Sequence, residues 1–391
     1  MIPRPRVRGF ICTSSHPKGC AANVNRQIGF VNEKGSVDGP KRVLIIGGSM
    51  GYGLASRIVS ATASGADTLS VYFEKEPTEK KWATAGWYNT KALEKQLQDK
   101  GLYAKSVNGD AFSQEIKDQI VDTIKKDWGQ VDLVVYSLAA PRKRDSATGE
   151  VVESVIKPIG NDYEGLQLDP HKSRLTPMQV GPATEQEIED TIKVMGGADW
   201  QSWIERLQQE NLLADGFKTV SFTYIGDQVT WPIYGQGTLG RAKKDLDVVA
   251  EKLRGDLTSV KGDARVCVLK ALVTQSSAAI PAMPLYIALL YKVMKRKGTH
   301  EGCIEQIDRL FRDRLYADNP ELDSEGRLRV DELELTADVQ SEVAELMGSV
   351  TEGNLEELAD VAGYRDEFLS LFGFGFDGVD YEEDLDPQVG A

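Results

Sequence analysis

The 391-residue sequence is poor in cysteine, in basic charge and in long apolar runs, and each shortage excludes something. Four cysteines over this length do not make a disulfide framework, so reduced, structural thiols are expected. Cys12, His16 and Cys20 fall together in "CTSSHPKGC", but the two cysteines stand eight apart and no fourth ligand is evident nearby. A structural zinc site wants four ligands and a tight C-x₂₋₄-C knuckle, so no metal is expected. Lysine and arginine total 46 against 60 acidic residues, a formal charge of −14. The average field repels a polyanion, and the densest basic cluster, "KVMKRKG", is short and ends an apolar run; nucleic acid is not an expected partner. The most apolar window, "AAIPAMPLYIALLY" at 278–291, is too short to cross a bilayer and holds Pro281 and Pro284. The opening "MIPRPRVRGFICTSS" carries charges but not the apolar core of a secretory signal. A soluble, cytoplasmic protein with no membrane span is expected.

What is present points to an α/β fold. The stretch 41–77 reads as strand, glycine turn, helix, strand, with Val43 to Ile46 a continuous apolar run of the kind found in sheets covered on both faces. Helix and strand patterns keep alternating: 91–101 helix, 102–110 strand, 113–129 helix, 131–141 buried strand. An insertion of hairpin-like sequence and two helices, about 142–216, precedes a strand at 218–226, a helix at 238–255 and a strand at 263–277. An apolar helix at 284–297 and mainly helical sequence complete the chain. The pattern is that of a single enlarged, Rossmann-like, doubly wound parallel sheet with helices on both faces and added helical and hairpin segments over the site.

Gly47, Gly51 and Gly53 in "GGSMGYG" follow the first strand and open the helix. There a pyrophosphate can meet unpaired N–H groups and the positive end of the helix dipole, with glycines letting the backbone come close. Glycine spacing alone is weak, but Glu74 ends the second strand 21 positions after Gly53, where a ribose-binding carboxylate belongs. Glu74 would accept from the adenosine ribose hydroxyls and repel the extra phosphate of NADP, so NADH is favoured; the adjacent Lys75 softens that exclusion, and a solvated carboxylate is the bland alternative. Asp110 ends the third strand facing the adenine position, and Leu138, Ala139 and Ala140 end the fourth with little bulk.

Two tyrosine–lysine pairs compete as a proton-donating device. Tyr291 and Lys295 are four apart and share a helix face, but they follow the strand at 263–277 and sit in the apolar helix, where Tyr291 packs. Tyr234 and Lys243 are nine apart in "TWPIYGQGTLGRAKK" and would fall on opposite faces of one continuous helix, at about 100° per residue. Gly235, Gly237 and Gly240 break that helix, so Tyr234 is expected on a loop with Lys243 reaching back from the first turns of the next helix. The ammonium would make the phenol more acidic and bond the nicotinamide ribose.

These stretches, together with "FEKEPTEKKW", "KVMGGADWQSWI", "TYIGDQVTWPIYGQGTLGRAKKDLD", "VTQSSAAIPAMPLY" and "HEGCIEQIDRL", make the chain resemble the FabV and trans-2-enoyl-CoA reductase family, an enlarged branch of the short-chain dehydrogenase superfamily. The resemblance runs over nearly the whole chain. It implies one enoyl reductase domain over 1–391, with a dinucleotide-binding half at 41–141, an insertion covering the site at 142–216, a catalytic Tyr-x₈-Lys and substrate-helix region at 217–300, and a mainly helical part at 301–391. The implied activity is NADH-dependent reduction of the trans-2 double bond of enoyl-acyl carrier protein or enoyl-CoA in fatty acid synthesis; separately from the resemblance, a monomer is expected. Tyr234 would be the proton donor, Lys243 a catalytic and cofactor ligand, and Tyr224 a contact to the thioester carbonyl. The cofactor would lie along Gly47, Gly48, Ser49, Met50, Gly51, Tyr52, Phe73, Glu74, Asp110, Ala111, Leu138, Ala139, Leu272, Val273 and Thr274. Ile280, Met283, Leu285 and Ile287 either hold the acyl chain or fill the core, and Arg142, Lys143 and Arg144 either greet carrier phosphates or form a solvated turn. A carbonyl reductase on the same fold and a non-catalytic NADH-sensing protein are the alternatives.

Overall fold

The apolar run Val43–Ile46 is the axis of the molecule. In the computed structural model, which describes residues 1–145 and 148–389, its side chains alternate between opposite faces of a sheet. Val43 and Ile45 enter one core cluster and Leu44 and Ile46 another, all four without solvent exposure. A strand apolar on both sides has to be covered on both.

A short hairpin, β1 (Val7–Arg8) and β2 (Ile11–Cys12), leads into α1 (Pro17–Lys34). Then β3 (Arg42–Ile46), α2 (Gly51–Ser64), β4 (Asp67–Tyr72), α3 (Ala85–Asp99), β5 (Ala104–Asn108), α4 (Gln114–Asp127) and β6 (Val131–Tyr136) alternate. Two hairpins follow, β7 (Arg142–Arg144) with β8 (Val151–Glu153) and β9 (Tyr163–Asp169) with β10 (Arg174–Val180), and then α5 (Glu185–Met195) and α6 (Ala198–Gln209). The chain continues through β11 (Leu213–Thr223), α7 (Thr238–Asp256), β12 (Asp263–Val268), α8 (Gln275–Ala278), α9 (Met283–Lys297) and α10 (Cys303–Leu310). It ends with β13 (Leu328–Arg329), α11 (Ala337–Ser349), α12 (Leu355–Leu358) and α13 (Val361–Ser370).

Seven strands form the main sheet in the order β13-β12-β11-β6-β3-β4-β5, every pairing parallel. The order runs from β3 through β4 to β5, then restarts on the other side of β3 at β6. Ligands of such sheets bind at the carboxyl ends of the strands beside that reversal. Helices α1, α2, α3 and α10 cover one face with Val24, Leu54, Leu93 and Ile307, and α4, α6 and α7 cover the other with Ile120, Trp203 and Leu246. A third cluster wraps α9 with Val339, Val343, Tyr364 and Phe368 from the last helices. No helix among the described residues is long and apolar enough to cross a membrane.

The architecture is the doubly wound parallel sheet that the sequence indicates, with three local differences. Helix α1 lacks a clean apolar stripe, because Asn23 and Gln27 are among its buried residues, and it starts at His16, whose Nδ1 accepts from the Gly19 N–H at 3.1 Å. The strand expected over 263–277 stops at Val268. Beyond it the Ala271 N–H donates to Glu334 Oε2 at 2.6 Å and the Val273 N–H to the Tyr291 hydroxyl at 3.1 Å, so side chains replace a sheet ladder. Finally, β13 adds a parallel edge of two residues beside β12, too short for any periodicity to announce.

Candidate active site

The glycine turn is shaped by steric need. Gly47 and Gly51 have φ of 89° and 53°, in the region that only glycine enters freely. A Cβ on Gly47 would collide with the Ser137 carbonyl, and one on Gly53 with the Gly47 carbonyl. Met50 precedes α2 and makes no side-chain cap, so the first N–H groups of this helix have no side-chain acceptor. That end suits an anion.

Glu74 follows β4 beside this turn. It accepts from Ser49 Oγ at 2.8 Å, and its N–H donates to Asn108 Oδ1 at 3.0 Å. Burial pushes its carboxyl up, against hydrogen bonds from Thr84 and Ser49 that favour the ionised form. A Cβ on Gly86 would strike Glu74 Oε1, so the α3 terminus closes tightly on this side chain. Phe73 is 77% exposed at the rim.

From here a cleft of about 920 Å³ extends across the carboxyl ends of the strands. Gly47, Ser49, Met50, Gly51, Tyr52, Phe73, Glu74, Asp110, Ala111, Leu138, Ala139, Leu272 and Thr274 line it, as do Tyr224, Tyr234 and Lys243. Gly48 and Val273 stand behind the lining. A Cβ on Gly48 would collide with Ser70 and crowd Ile45, and Val273 is tied to Tyr291. Among the apolar candidates, Ile280 and Met283 reach the cleft, whereas Leu285 and Ile287 are fully buried in the α9 core. Arg142, Lys143 and Arg144 form β7 and line the cleft's outer edge.

Tyr234 precedes α7 on a turn, as its glycines allow. The Gly240 N–H donates to the Tyr234 carbonyl at 3.0 Å, and a Cβ on Gly240 would collide with the Gly235 carbonyl, so the turn packs directly onto the first turn of the helix. Lys243 reaches back from that helix, and its ammonium donates to the Phe222 carbonyl at 3.2 Å. The rings of Tyr224 and Tyr234 meet edge to face with centroids 5.0 Å apart. The expected acidifying effect of Lys243 on Tyr234 is not found. Burial raises the phenol's pKa above its ordinary value, and burial lowers the Lys243 ammonium to about 8, because each loses more hydration than it recovers from neighbours.

Tyr291 and Lys295 are occupied elsewhere: the Tyr291 hydroxyl donates to Glu367 at 2.7 Å and Lys295 pairs with Asp360 at 2.8 Å. Lys270 is a site residue that the motifs do not single out. It lines the cleft, is only 2% exposed, and sits in "VLKALV", where a lysine inside an apolar run was a usable signal. Glu334, fully buried behind Tyr224, gave none, because nothing local in "DELEL" separates it from the other acidic residues, Asp331 and Glu332, which pair with arginines.

This arrangement is an enlarged Rossmann-like fold, with one cleft joining a glycine turn to a tyrosine–lysine end. Residues 81–316 match the model "Trans-2-enoyl-CoA reductase catalytic region", and residues 2–79 match "NAD(P)H binding domain of trans-2-enoyl-CoA reductase". The chain is 56% identical over 390 residues to an enoyl-[acyl-carrier-protein] reductase [NADH] of Saccharophagus degradans, covering 100% of this chain and 99% of the relative. It is 55% identical over 390 residues to the FabV enoyl-[acyl-carrier-protein] reductase [NADH] of Aeromonas salmonicida, covering 100% and 98%. The crystal structure of trans-2-enoyl-CoA reductase from Clostridium acetobutulicum in complex with NADH superposes with a TM-score of 0.97 at 45% identity, covering 100% of this chain and 98% of that one. The chain belongs to the FabV and trans-2-enoyl-CoA reductase family.

A third match, over 322–385, is described as "Enoyl reductase FAD binding domain". Here that segment packs Val339, Val343, Leu355, Tyr364 and Phe368 around α9. It gives the large cleft only Leu371 and a smaller neighbouring one only Arg327, which does not fit a flavin.

Proposed function

We propose that this chain reduces the trans-2 double bond of enoyl-acyl carrier protein or enoyl-CoA with NADH. One observation carries the reading: Tyr224, Tyr234 and Lys243 share a single cleft with the glycine turn and Glu74. The residues at the turn fit a nicotinamide dinucleotide. The open α2 terminus takes the pyrophosphate, Glu74 accepts from the adenosine ribose hydroxyls and disfavours a phosphate there, and Lys243 meets the nicotinamide ribose. Bound there, NADH supplies the hydride that reaches the β-carbon of the enoyl thioester.

The protein's part is to stabilise and protonate what results. Negative charge develops on the thioester oxygen, and hydroxyl donors aimed at that oxygen lower the barrier. Tyr234 is the first donor and supplies the proton that ends at the α-carbon; its raised pKa keeps it protonated for this role. Tyr224 is the second donor. Ile280 and Met283 flank the acyl chain, and we take the protein to act as a monomer in the cytoplasm.

The test mixes the protein with crotonyl-CoA and NADH and follows NADH absorbance, with NADPH in parallel. Oxidation of NADH with formation of butyryl-CoA, faster than with NADPH, is expected. No turnover would refute the reading, and faster consumption of a ketone would favour a carbonyl reductase.

A further inference from the structure

Behind Tyr224 lies a carboxyl group that the mechanism above does not use. Glu334 has no solvent exposure, and Oε1 lies 2.9 Å from the Tyr224 hydroxyl and 2.7 Å from the Tyr286 hydroxyl. Oε2 accepts the Ala271 N–H at 2.6 Å. Gln340, also buried, donates its amide to the Tyr286 oxygen at 3.2 Å. One carboxyl therefore joins the tyrosine after β11 to the cleft wall after β12.

Counting protons gives this group a direction. A tyrosine hydroxyl has one proton to donate. The Tyr286 oxygen already accepts from Gln340, so its proton goes to Glu334. An ionised Glu334 could only accept, and it would then hold the Tyr224 proton as well, leaving Tyr224 nothing to donate to a thioester oxygen. A neutral Glu334 reverses this. Its proton sits on Oε1, because Oε2 faces an N–H, and is donated to the Tyr224 oxygen, which releases the Tyr224 O–H from Glu334. The acceptors left to it are a substrate oxygen in the cleft and, at the longer distance of 3.5 Å, Thr230 Oγ1, whose own proton goes to the Asp227 carbonyl.

We propose that Glu334 is a positioning residue that acts as a neutral carboxyl and aims the Tyr224 proton at the substrate oxygen. The donor chain runs from Gln340 through Tyr286 and Glu334 to Tyr224. Burial raises the Glu334 carboxyl, which favours the neutral form. The nearby cation, Lys270, opposes that, but its own pKa is lowered by burial and its ammonium is directed to the Ala271 carbonyl at 3.1 Å and over the Tyr291 ring. The inference rests on Tyr224 being a substrate donor.

The test compares Tyr224→Phe, Glu334→Gln, Glu334→Leu and the double variant Tyr224→Phe/Glu334→Leu, measuring kcat and KM for crotonyl-CoA and NADH affinity by fluorescence. Glutamine reproduces the neutral carboxyl toward Ala271 and Tyr224, its oxygen facing the Ala271 N–H and its NH₂ donating to Tyr224. It removes the acceptor of the Tyr286 proton, a cost that falls on stability rather than on the Tyr224 proton. Glu334→Gln should keep kcat within about threefold, and Glu334→Leu should lose about tenfold or more, the scale of one lost hydrogen bond, with NADH affinity unchanged. In the Tyr224→Phe background, Glu334→Leu should cost under about twofold, since coupled residues are non-additive. Equal costs in both backgrounds, or a Glu334→Gln loss as large as that of Tyr224→Phe, would overturn the proposal; the second comparison stands even if the leucine variants do not fold. A Tyr224→Phe enzyme with full kcat would instead remove the donor reading of Tyr224, and this proposal with it.

Discussion

At one end of the cleft, Gly47 to Gly53 and Glu74 belong to a single βαβ unit. At the other, Tyr224, Tyr234, Lys243, Lys270 and Glu334 come from separate segments, and the Tyr224–Glu334 contact spans 110 positions of sequence. The first end is made of backbone: positive-φ glycines, a bare helix terminus and a strand end. The second is made of side-chain atoms, of which Tyr224, Lys243 and Glu334 are held by hydrogen bonds to other segments. Backbone sites tolerate side-chain changes and fail on added bulk, whereas side-chain sites lose function one atom at a time.

The sharpest way to break this comparison is to remove one oxygen. Tyr234→Phe should lower kcat for crotonyl-CoA by about 10²–10³-fold, the range seen when one donor to a developing oxyanion is deleted. NADH affinity should stay within about twofold, since the glycine turn is untouched. A variant whose NADH binding falls in step with kcat would show the two ends to be one mechanical unit.

A second difference appears in pH. Burial sets the Lys243 ammonium near 8, so its charge is present below that pH and is lost above it. The free-enzyme profile, kcat/KM for NADH, should therefore be flat below about 8 and fall by about tenfold per pH unit above it. Tyr234 cannot be the source of that limb, because its own shift is upward. A profile that stays level through pH 9.5 would remove Lys243 from cofactor binding.

The same contrast explains what the sequence could disclose. The sheet and glycine turn were legible because Val43–Ile46, the turn and Glu74 sit within one short window whose spacing carries the meaning. Tyr234 and Lys243 were legible through the glycines between them, which exclude a continuous helix. Their electrostatic relation was not, because desolvation depends on what packs over them from β11. The division of Ile280 and Met283 from Leu285 and Ile287 escaped for a similar reason: all four are apolar, and only the start of α9 against the cleft separates them. Glu334 lay beyond reach altogether, since its partners are set by tertiary packing.

The smallest expected effect belongs to the backbone-built end. Glu74 is seated by the Ser49 hydroxyl and the α3 terminus, and it gives the turn a charge without shaping its glycines. Replacing it with alanine removes an acceptor for two ribose hydroxyls and also the repulsion against a 2′-phosphate. The first loss weakens NADH by about tenfold, roughly one charged hydrogen bond. The second improves NADPH, helped by Lys75 next to it. Glu74→Ala should thus bring the NADH and NADPH values of kcat/KM together while leaving kcat at saturating cofactor within about twofold, because no atom near Tyr234 has moved. An unaltered cofactor ratio would mean that the preference is set by the glycine turn itself, and the backbone-built end would then depend on no side chain for its selectivity.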